Sequence, residues 1–347
     1  TCCNKTPWGE EQVDVIADPV AQNVNVSATE VCQGGAVSAT FTGGSGGIGA
    51  TDQYQVSTNA GGTWTAYTPG NNVSSTTVAN NQIQFRTRRV SGASGCDNTA
   101  WTYEYVDVVA DPTPGTVIVG ESQVCQGGGV SATFTAGSGG TGTVDDEYQV
   151  STNGGSTWSA YTPSTNVSST VAVNNRIQFR TRRTASGSGC NTSAWAYGYV
   201  DVVADPVAQT IVLPYSEVCQ GGTVSATFIG GSGGYGTVDN EYQVSTDGGT
   251  SWGAYTPGAN VSSTTVAPDQ IQFRTRRTAS GTGCNTSAWN VSGVDVVADP
   301  VAPSITESPA EGAICEGTSV SATFGAGSGG ISGQVDVYEY RIDGGAW

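Results

Sequence analysis

The sequence predicts an all-β chain built from three consecutive copies of one small β-sandwich. Three observations carry this. One cysteine-bearing string recurs at a fixed period, apolar and polar residues alternate with period two inside each copy, and Gly/Ser/Asn/Pro turns separate the alternating runs.

The period comes first. Val-Cys-Gln-Gly-Gly begins at Val31, Val124 and Val218, and Ile314-Cys315-Glu316-Gly317 is a weaker fourth copy. Arg-Thr-Arg-Arg begins at Arg86, Arg180 and Arg274. Val-Asp-Val-Val-Ala-Asp-Pro begins at Val106, Val200 and Val294, with an earlier version at Val13. Cutting after each Asp of Asp-Pro divides the 347 residues into 1–18, 19–111, 112–205, 206–299 and 300–347. The middle three are whole repeats of 93 or 94 residues. Residues 1–18 match the tail of a repeat, since Cys3 through Trp8 align with Cys190 through Trp195. Residues 300–347 match the first half of one, with Trp347 at the place of Trp64, Trp158 and Trp252. Half a sandwich cannot bury its apolar face, so the sequence is expected to be a window on a longer repeat protein.

Inside the second repeat the expected strands lie near 117–119, 130–134, 147–151, 157–161, 171–173, 176–182 and 197–203. No segment shows a helical period. Seven short strands in 94 residues fit an immunoglobulin-like sandwich of two packed sheets. Its expected core is Phe134, Tyr148, Val150, Trp158, Ile177, Phe179 and Trp195, with their counterparts in the other repeats. Asp-Pro joins the copies without a Gly/Ser linker, and proline restricts both itself and the residue before it. A stiff, extended array is therefore expected.

Composition then narrows the functions. Twelve Lys+Arg against 29 Asp+Glu leave a formal charge of −17, which repels nucleic acid. There is no His, so histidine acid–base chemistry and histidine metal ligation are excluded. No run of about 18 apolar residues offers a membrane span. No basic and then apolar leader opens the chain, so a targeting signal is expected outside it. The same polar residues recur in all three copies, which argues against a catalytic site, so the chain is read as non-enzymatic.

Nine cysteines follow the period and read as disulfides of an oxidising compartment. Two pairings stay open. Within repeats, the bonds are Cys32–Cys96, Cys125–Cys190 and Cys219–Cys284. Across joints, they are Cys32–Cys190 and Cys125–Cys284. The first places its cysteines at opposite poles of a sandwich, roughly 20–25 Å apart, where a bond needs Cα atoms within about 7 Å. Cys3 and Cys315 are expected to find partners outside this sequence, and Cys2 has no counterpart.

Three constellations are candidates for function. Ser245 to Trp252 matches an Asp-box hairpin, a structural turn, with Asn for Asp in the copies at Ser57 and Ser151. Arg86, Arg88, Arg180, Arg182, Arg274 and Arg276 form an outward stripe suited to a carboxylated glycan or an acidic neighbour, or simply to cross-strand pairs with Glu104, Glu147 or Asp201 and stacking on Tyr103 or Tyr197. Asp107, Asp111, Asp201, Asp205, Asp295 and Asp299 place two carboxylates at each joint, weak candidates for calcium beside the plainer reading as surface charge. Asn-x-Ser/Thr sites at Asn72, Asn166, Asn191, Asn260 and Asn285 mark exposed loops.

The order Val-Cys-x-Gly-Gly, an alternating strand, Tyr-x-Val-Ser-Thr-Asn/Asp-Gly-Gly-x-x-Trp and a late Cys resembles the Ig-like repeats of giant secreted Bacteroidota surface proteins. Gliding-motility adhesins exported by the type IX system are among them. The resemblance spans the whole sequence and implies an extracellular or cell-surface protein, with adhesion as its role. The expected partners are neighbouring repeats, lateral copies of the chain or surface polysaccharide. The expected function is a stiff, disulfide-stapled stalk of a large adhesin. The alternative is a structural protein whose repeats assemble into an extracellular filament.

Overall fold

The structure is a computed structural model that describes residues 8–92, 95–310, 312–342 and 345. Cys2, Cys3 and Trp347 lie outside the described residues. The chain forms two compact units: residues 1–120, 131–165 and 178–199 make one, and residues 121–130, 166–177 and 200–347 make the other.

The first unit contains the whole first repeat, with β1 Asn23–Val26, β2 Glu30–Cys32, β3 Ala39–Thr42, β4 Thr51–Ser57, β5 Thr65–Ala66, β6 Ala79–Val90 and β7 Thr102–Val109. β1 and β3 pair antiparallel as one small sheet, and the other sheet runs β2-β7-β6-β4-β5. Between β1 and β2 the chain crosses from one sheet to the other, so β2 lies parallel to β7, with Val31 opposite Val108. Val24, Val31, Val37, Val56, Ile83, Phe85, Val106 and Val108 are buried between the layers. The sandwich is immunoglobulin-like, and its described residues contain no helix.

The second repeat supplies β8 Val117–Val119, β9 Gln123–Cys125, β10 Ala132–Phe134, β11 Val144–Ser151, β12 Ser159–Ala160, β13 Val173–Ala185 and β14 Ala196–Val203. Seven strands are present, as expected, but not the same seven. Residues 171–173 form no strand of their own: Val173 opens the long β13. The β9 strand, hidden in the Val-Cys-Gln-Gly-Gly string, pairs parallel with β14. A three-residue strand next to two glycines carries too little alternation to register as a period.

The second unit contains the third repeat: β15 Thr210–Val212, β16 Glu217–Cys219, β17 Thr223–Val224, β18 Thr227–Ile229, β19 Val238–Ser245, β20 Gly253–Ala254, β21 Val261–Ser262, β22 Ala267–Ala279 and β23 Asn290–Val297. Its larger sheet runs β16-β23-β22-β19-β20, matching the first repeat. The β17–β21 pair corresponds to a single bridge, Val37 to Val73, in the first repeat. β24 Ile305–Ser308 and β25 Ser321–Phe324 pair beyond it.

Of the expected core, Ile177 and Phe179 are fully buried and Val150 nearly so. Phe134, Tyr148, Trp158 and Trp195 are only half-buried. The residue that belongs inside is Tyr161, three after Trp158. Its hydroxyl accepts from Ala132 N–H at 3.0 Å and donates to the Thr165 carbonyl at 2.7 Å. Tyr67 and Tyr255 repeat this bridge. A tyrosine there fills the core and also satisfies backbone groups that would otherwise be buried unpaired.

The long strand has a kink with a cause. Asn81, Asn175 and Asp269 take left-handed φ values of 51°, 50° and 47°. Their N–H groups donate to Asp107, Asp201 and Asp295 at 2.6–2.7 Å. Three of the calcium candidates therefore hold a strand irregularity in place.

Thr87, Thr181 and Thr275 are fully buried on the core face, and their hydroxyls have no hydrogen-bond partner. Thr181→Val is expected to raise the unfolding free energy by roughly 1 kcal/mol, because a methyl replaces a desolvated, unpaired hydroxyl. Phe179→Ala should lower it by about 3–5 kcal/mol. Urea unfolding of both variants beside the parent checks these signs.

Candidate functional site

Two arrangements recur where the sequence placed its candidates: the joints between repeats, and an arginine–tryptophan face on the larger sheet.

At the joint inside the first unit, the crossing strand brings Cys32 to the end of its repeat. The structure bonds it to Cys190, with Cα atoms 4.9 Å apart. In the second unit Cys125 is bonded to Cys284, with Cα atoms 4.8 Å apart. Each bond leaves one repeat and enters the next, and no described cysteine bonds within its own repeat. Cys96, Cys219 and Cys315 form no disulfide among the described residues. The within-repeat pairing placed its two cysteines at opposite poles, and the joint brings the poles of adjacent repeats together instead.

Backbone makes this approach possible. The Cys32 N–H donates to the Ser188 carbonyl at 2.9 Å, and Cys125 N–H to the Thr282 carbonyl at 3.0 Å. Gly35 and Gly189 touch so closely that a β-carbon on Gly189 would sit 2.2 Å from the Gly35 Cα, and Gly189 has a φ of +76°. Gly128 and Gly283 repeat the contact, at 2.3 Å and +74°. No other residue type fits there.

Side chains close the joints. The Thr141 hydroxyl donates to Glu30 at 2.7 Å, and Asn191 Nδ2 donates to Asp111 at 3.1 Å. In the second unit Asn285 donates to Asp205 at 3.0 Å, while Glu121 accepts from the Thr282 and Tyr235 hydroxyls. Those two hydroxyls hold the Glu121 carboxyl below the usual glutamate range. Further along the same unit, Ser332 donates twice to Glu217 at 2.6 Å and lowers it likewise. Asp111 and Asp205, two more calcium candidates, thus receive asparagine amides, and Asp299 is exposed. Among the described residues, no group of three or more His, Cys, Asp or Glu is placed to hold a metal ion.

The second arrangement corrects the core assignment of the tryptophans. In the first repeat, Trp64 and Trp101 clasp the Arg86 guanidinium, with ring centroids 3.8 and 4.2 Å from its carbon, and Arg88 lies 4.6 Å from Trp101. The order is Trp-Arg-Trp-Arg. Trp158, Arg180, Trp195 and Arg182 repeat it at 3.9, 4.1 and 4.6 Å, and Trp252, Arg274, Trp289 and Arg276 at 4.0, 4.3 and 4.6 Å. The indoles stand on the outer face because a stacked cation attracts their π clouds, and the arginine stems cover apolar surface. Nε and Nη2 of Arg86, Arg180 and Arg274 donate to Gln55, Gln149 and Gln243 at 2.5–2.9 Å. Arg182 and Arg276 form salt bridges with Glu147 and Glu241. Glu104 and Asp201 take no part in these bridges.

In the second and third repeats the Asp-box strings anchor one indole of each pair. Trp158 and Trp252 Nε1 donate to the carbonyls of Gly155 and Gly249 at 3.0 Å. Asp247 accepts from the Ser245 and Ser251 hydroxyls, which bring its carboxyl down to about 2. The hairpin is structural.

No protein-family model matches this chain, and no curated protein matches it. Among solved structures it is similar to the calcium-stabilised adhesin with which an Antarctic bacterium reaches out and binds ice. That likeness has 20% identity and a TM-score of 0.40, covering 84% of this chain and 77% of that one. It is also similar to the three N-terminal domains of the bacteriophage RB49 outer capsid protein Hoc, at 12% identity and a TM-score of 0.40, covering 79% of this chain and 98% of that one. The I67–I69 fragment of titin gives 8% identity and a TM-score of 0.36, covering 81% and 99%. Among the described residues, no helix is long and apolar enough to cross a membrane.

The lowered Glu121 gives the second unit a pH dependence. Its contribution to stability is complete above the ordinary glutamate value of 4.5 and is lost as pH falls through its lower folded value. Melting temperature should therefore fall on acidification, and Glu121→Gln should flatten that fall while lowering Tm at pH 7. Gly189→Ala should separate the backbones at the first joint, read as loss of the Cys32–Cys190 bond in non-reducing peptide mapping.

Proposed function

We propose that the chain is a non-enzymatic extracellular repeat region, a stiff disulfide-stapled stalk that holds the working end of a large cell-surface adhesin away from the cell. In the finer form that the repeat motif suggests, the whole protein is a gliding-motility-type adhesin of the Bacteroidota, exported by the type IX system. The partners of these segments are the neighbouring repeats, and the arginine–tryptophan face is the part open to surface polysaccharide or to lateral copies.

The interlocking of the two disulfides carries this reading. The Cys32–Cys190 loop contains Cys125, and the Cys125–Cys284 loop contains Cys190. Force applied from Cys32 to Cys284 therefore has two covalent paths. One follows 93 residues to Cys125 and crosses its bond, and the other crosses first and follows 94 residues from Cys190. Each bond closes a loop large enough to contribute about 5 kcal/mol in the chain-entropy account. Such bonds persist outside the reducing cytosol, which supports the extracellular placement. A joint held this way resists hinging that adjacent domains otherwise show by default. On this reading the covalent staples close the joint, and EDTA is expected to leave Tm unchanged.

Single-molecule pulling tests the stalk. Fully unfolded, the oxidised chain should stretch only 93 residues between Cys32 and Cys284, where the reduced chain stretches 252. Reduction should thus release roughly 550 Å of extra contour at about 3.3–3.6 Å per residue. An equal contour with and without reductant would remove the basis of the proposal. Electron microscopy of native material distinguishes the filament alternative: a strand one domain wide supports the stalk, and a thicker helically ordered filament overturns it.

A further inference from the structure

The three arginine–tryptophan faces are not equivalent. In the second and third repeats, the outer arginine of the ladder has a carboxylate partner: Arg182 with Glu147 at 2.8 Å, and Arg276 with Glu241 at 2.7 Å. The first repeat has Gln53 at that place. Arg88 Nε donates to Gln53 Oε1 at 2.8 Å, and its two terminal nitrogens make no hydrogen bond among the described residues. Arg86 beside it donates only to neutral groups, Gln55 Oε1 and, at 3.5 Å, the Tyr103 hydroxyl. On a chain of net charge −17, the first face holds two neighbouring guanidinium groups whose charge no carboxylate offsets at hydrogen-bond range.

Next to these cations lie two exposed tyrosines. Tyr103 and Tyr105 are 36% and 44% exposed, with ring planes within 3° of parallel and centroids 6.1 Å apart. Tyr103 also meets Trp64 edge-on at 5.8 Å and lies 6.0 Å from the Arg86 guanidinium. Tyr197 and Tyr199 form the same pair in the second repeat, 5° from parallel. The third repeat has Val291 and Gly293 there, so it keeps the ladder and lacks the aromatic surface. The tyrosines are thus dispensable for holding the ladder together, and their exposure needs another use.

We propose that the first repeat's outer sheet face is a binding site for a carboxylated glycan, a polyuronate. This deepens the stalk reading by giving the shaft its own adhesive contact. The Arg88 fork takes a uronate carboxylate on its terminal nitrogens, with the guanidinium stacked on Trp101 and its Nε held by Gln53. The C–H face of a neighbouring sugar ring lies on Tyr103 and Tyr105, whose π faces are negative and whose ordering on binding costs little. One carboxylate per sugar gives a hexamer a charge of about −6, and its repulsion by the acidic chain is screened beyond about 10 Å at 0.1 M salt. A second copy of this chain would bring another −17, which disfavours it as the occupant. The second repeat's face binds less well because Glu147 already occupies its arginine, and the third repeat's face does not bind.

The test uses the whole chain and two probes, hexagalacturonate and its fully methyl-esterified form, by calorimetry at about 0.1 M salt. Wild type should bind the acid, and the ester should bind at least about tenfold more weakly. Gln53→Glu gives the first repeat the partner that the others have, and should cut acid binding about tenfold with the melting temperature held or raised. Glu147→Gln should create a second acid-binding site, and replacing Tyr103 and Tyr105 by the Val and Gly of the third repeat should abolish the first. Equal binding by Gln53→Glu, or no binding by wild type, overturns the proposal. So does self-association in analytical ultracentrifugation that Gln53→Glu abolishes, because the occupant is then a second copy. None of these outcomes changes the contour lengths measured by pulling, so the stalk stands or falls separately.

Discussion

The parallel pairing of a three-residue strand with the last strand of its repeat is the constraint on which the rest of this structure hangs. When the chain leaves the small sheet after β1 and joins the large one as β2, it buries Val31 against Val108 and covers the edge of β7. The same move carries Cys32 to the place where the repeat ends, with its sulfur 3.9 Å from the Ala110 carbonyl, just before Asp111-Pro112 begins the next copy. The cysteine is therefore at the exit of its own repeat. A bond into the following repeat needs only that the loop at 186–191 come close, and paired glycines let it do so.

The outer face obeys a second constraint. A half-covered sheet leaves arginine and tryptophan side by side, and alternating them lets the inner guanidinium of each ladder lose water to two indoles while keeping its in-plane donors for a glutamine. The ladder is repeated three times with nearly unchanged spacing, so it is a structural part of the repeat. What varies around it, Gln53 against Glu147 and Glu241, and Tyr103 and Tyr105 against Val291 and Gly293, changes charge and aromatic surface without changing the scaffold. Repeats of this kind can thus diverge in surface chemistry one at a time.

Much of this was legible in the sequence because it was periodic. The Phe85, Phe179 and Phe273 strand shows its alternation openly, and all three rings are fully buried. The tryptophans misled because hydrophobicity alone places them inside. Only the register, which sets Arg180 opposite Gln149 between Trp158 and Trp195, shows that stacking on a cation competes with burial. The joint aspartates carry a role that their spacing does not announce. Carboxylate spacing suggests an ion, whereas Asp107 and its copies accept the N–H of a left-handed residue that no motif announces.

By itself the sequence determined the all-β class, the period, the turn positions and the apolar face of each long strand, because these follow from local steric preference and from two-residue alternation. It also placed the cysteines in register with the repeat. Which cysteine meets which, which side of the sheet holds the indoles, and which carboxylates hold backbone were decided by tertiary structure alone. These depend on contacts between residues about 15 to 160 positions apart, beyond the reach of any local pattern in the chain.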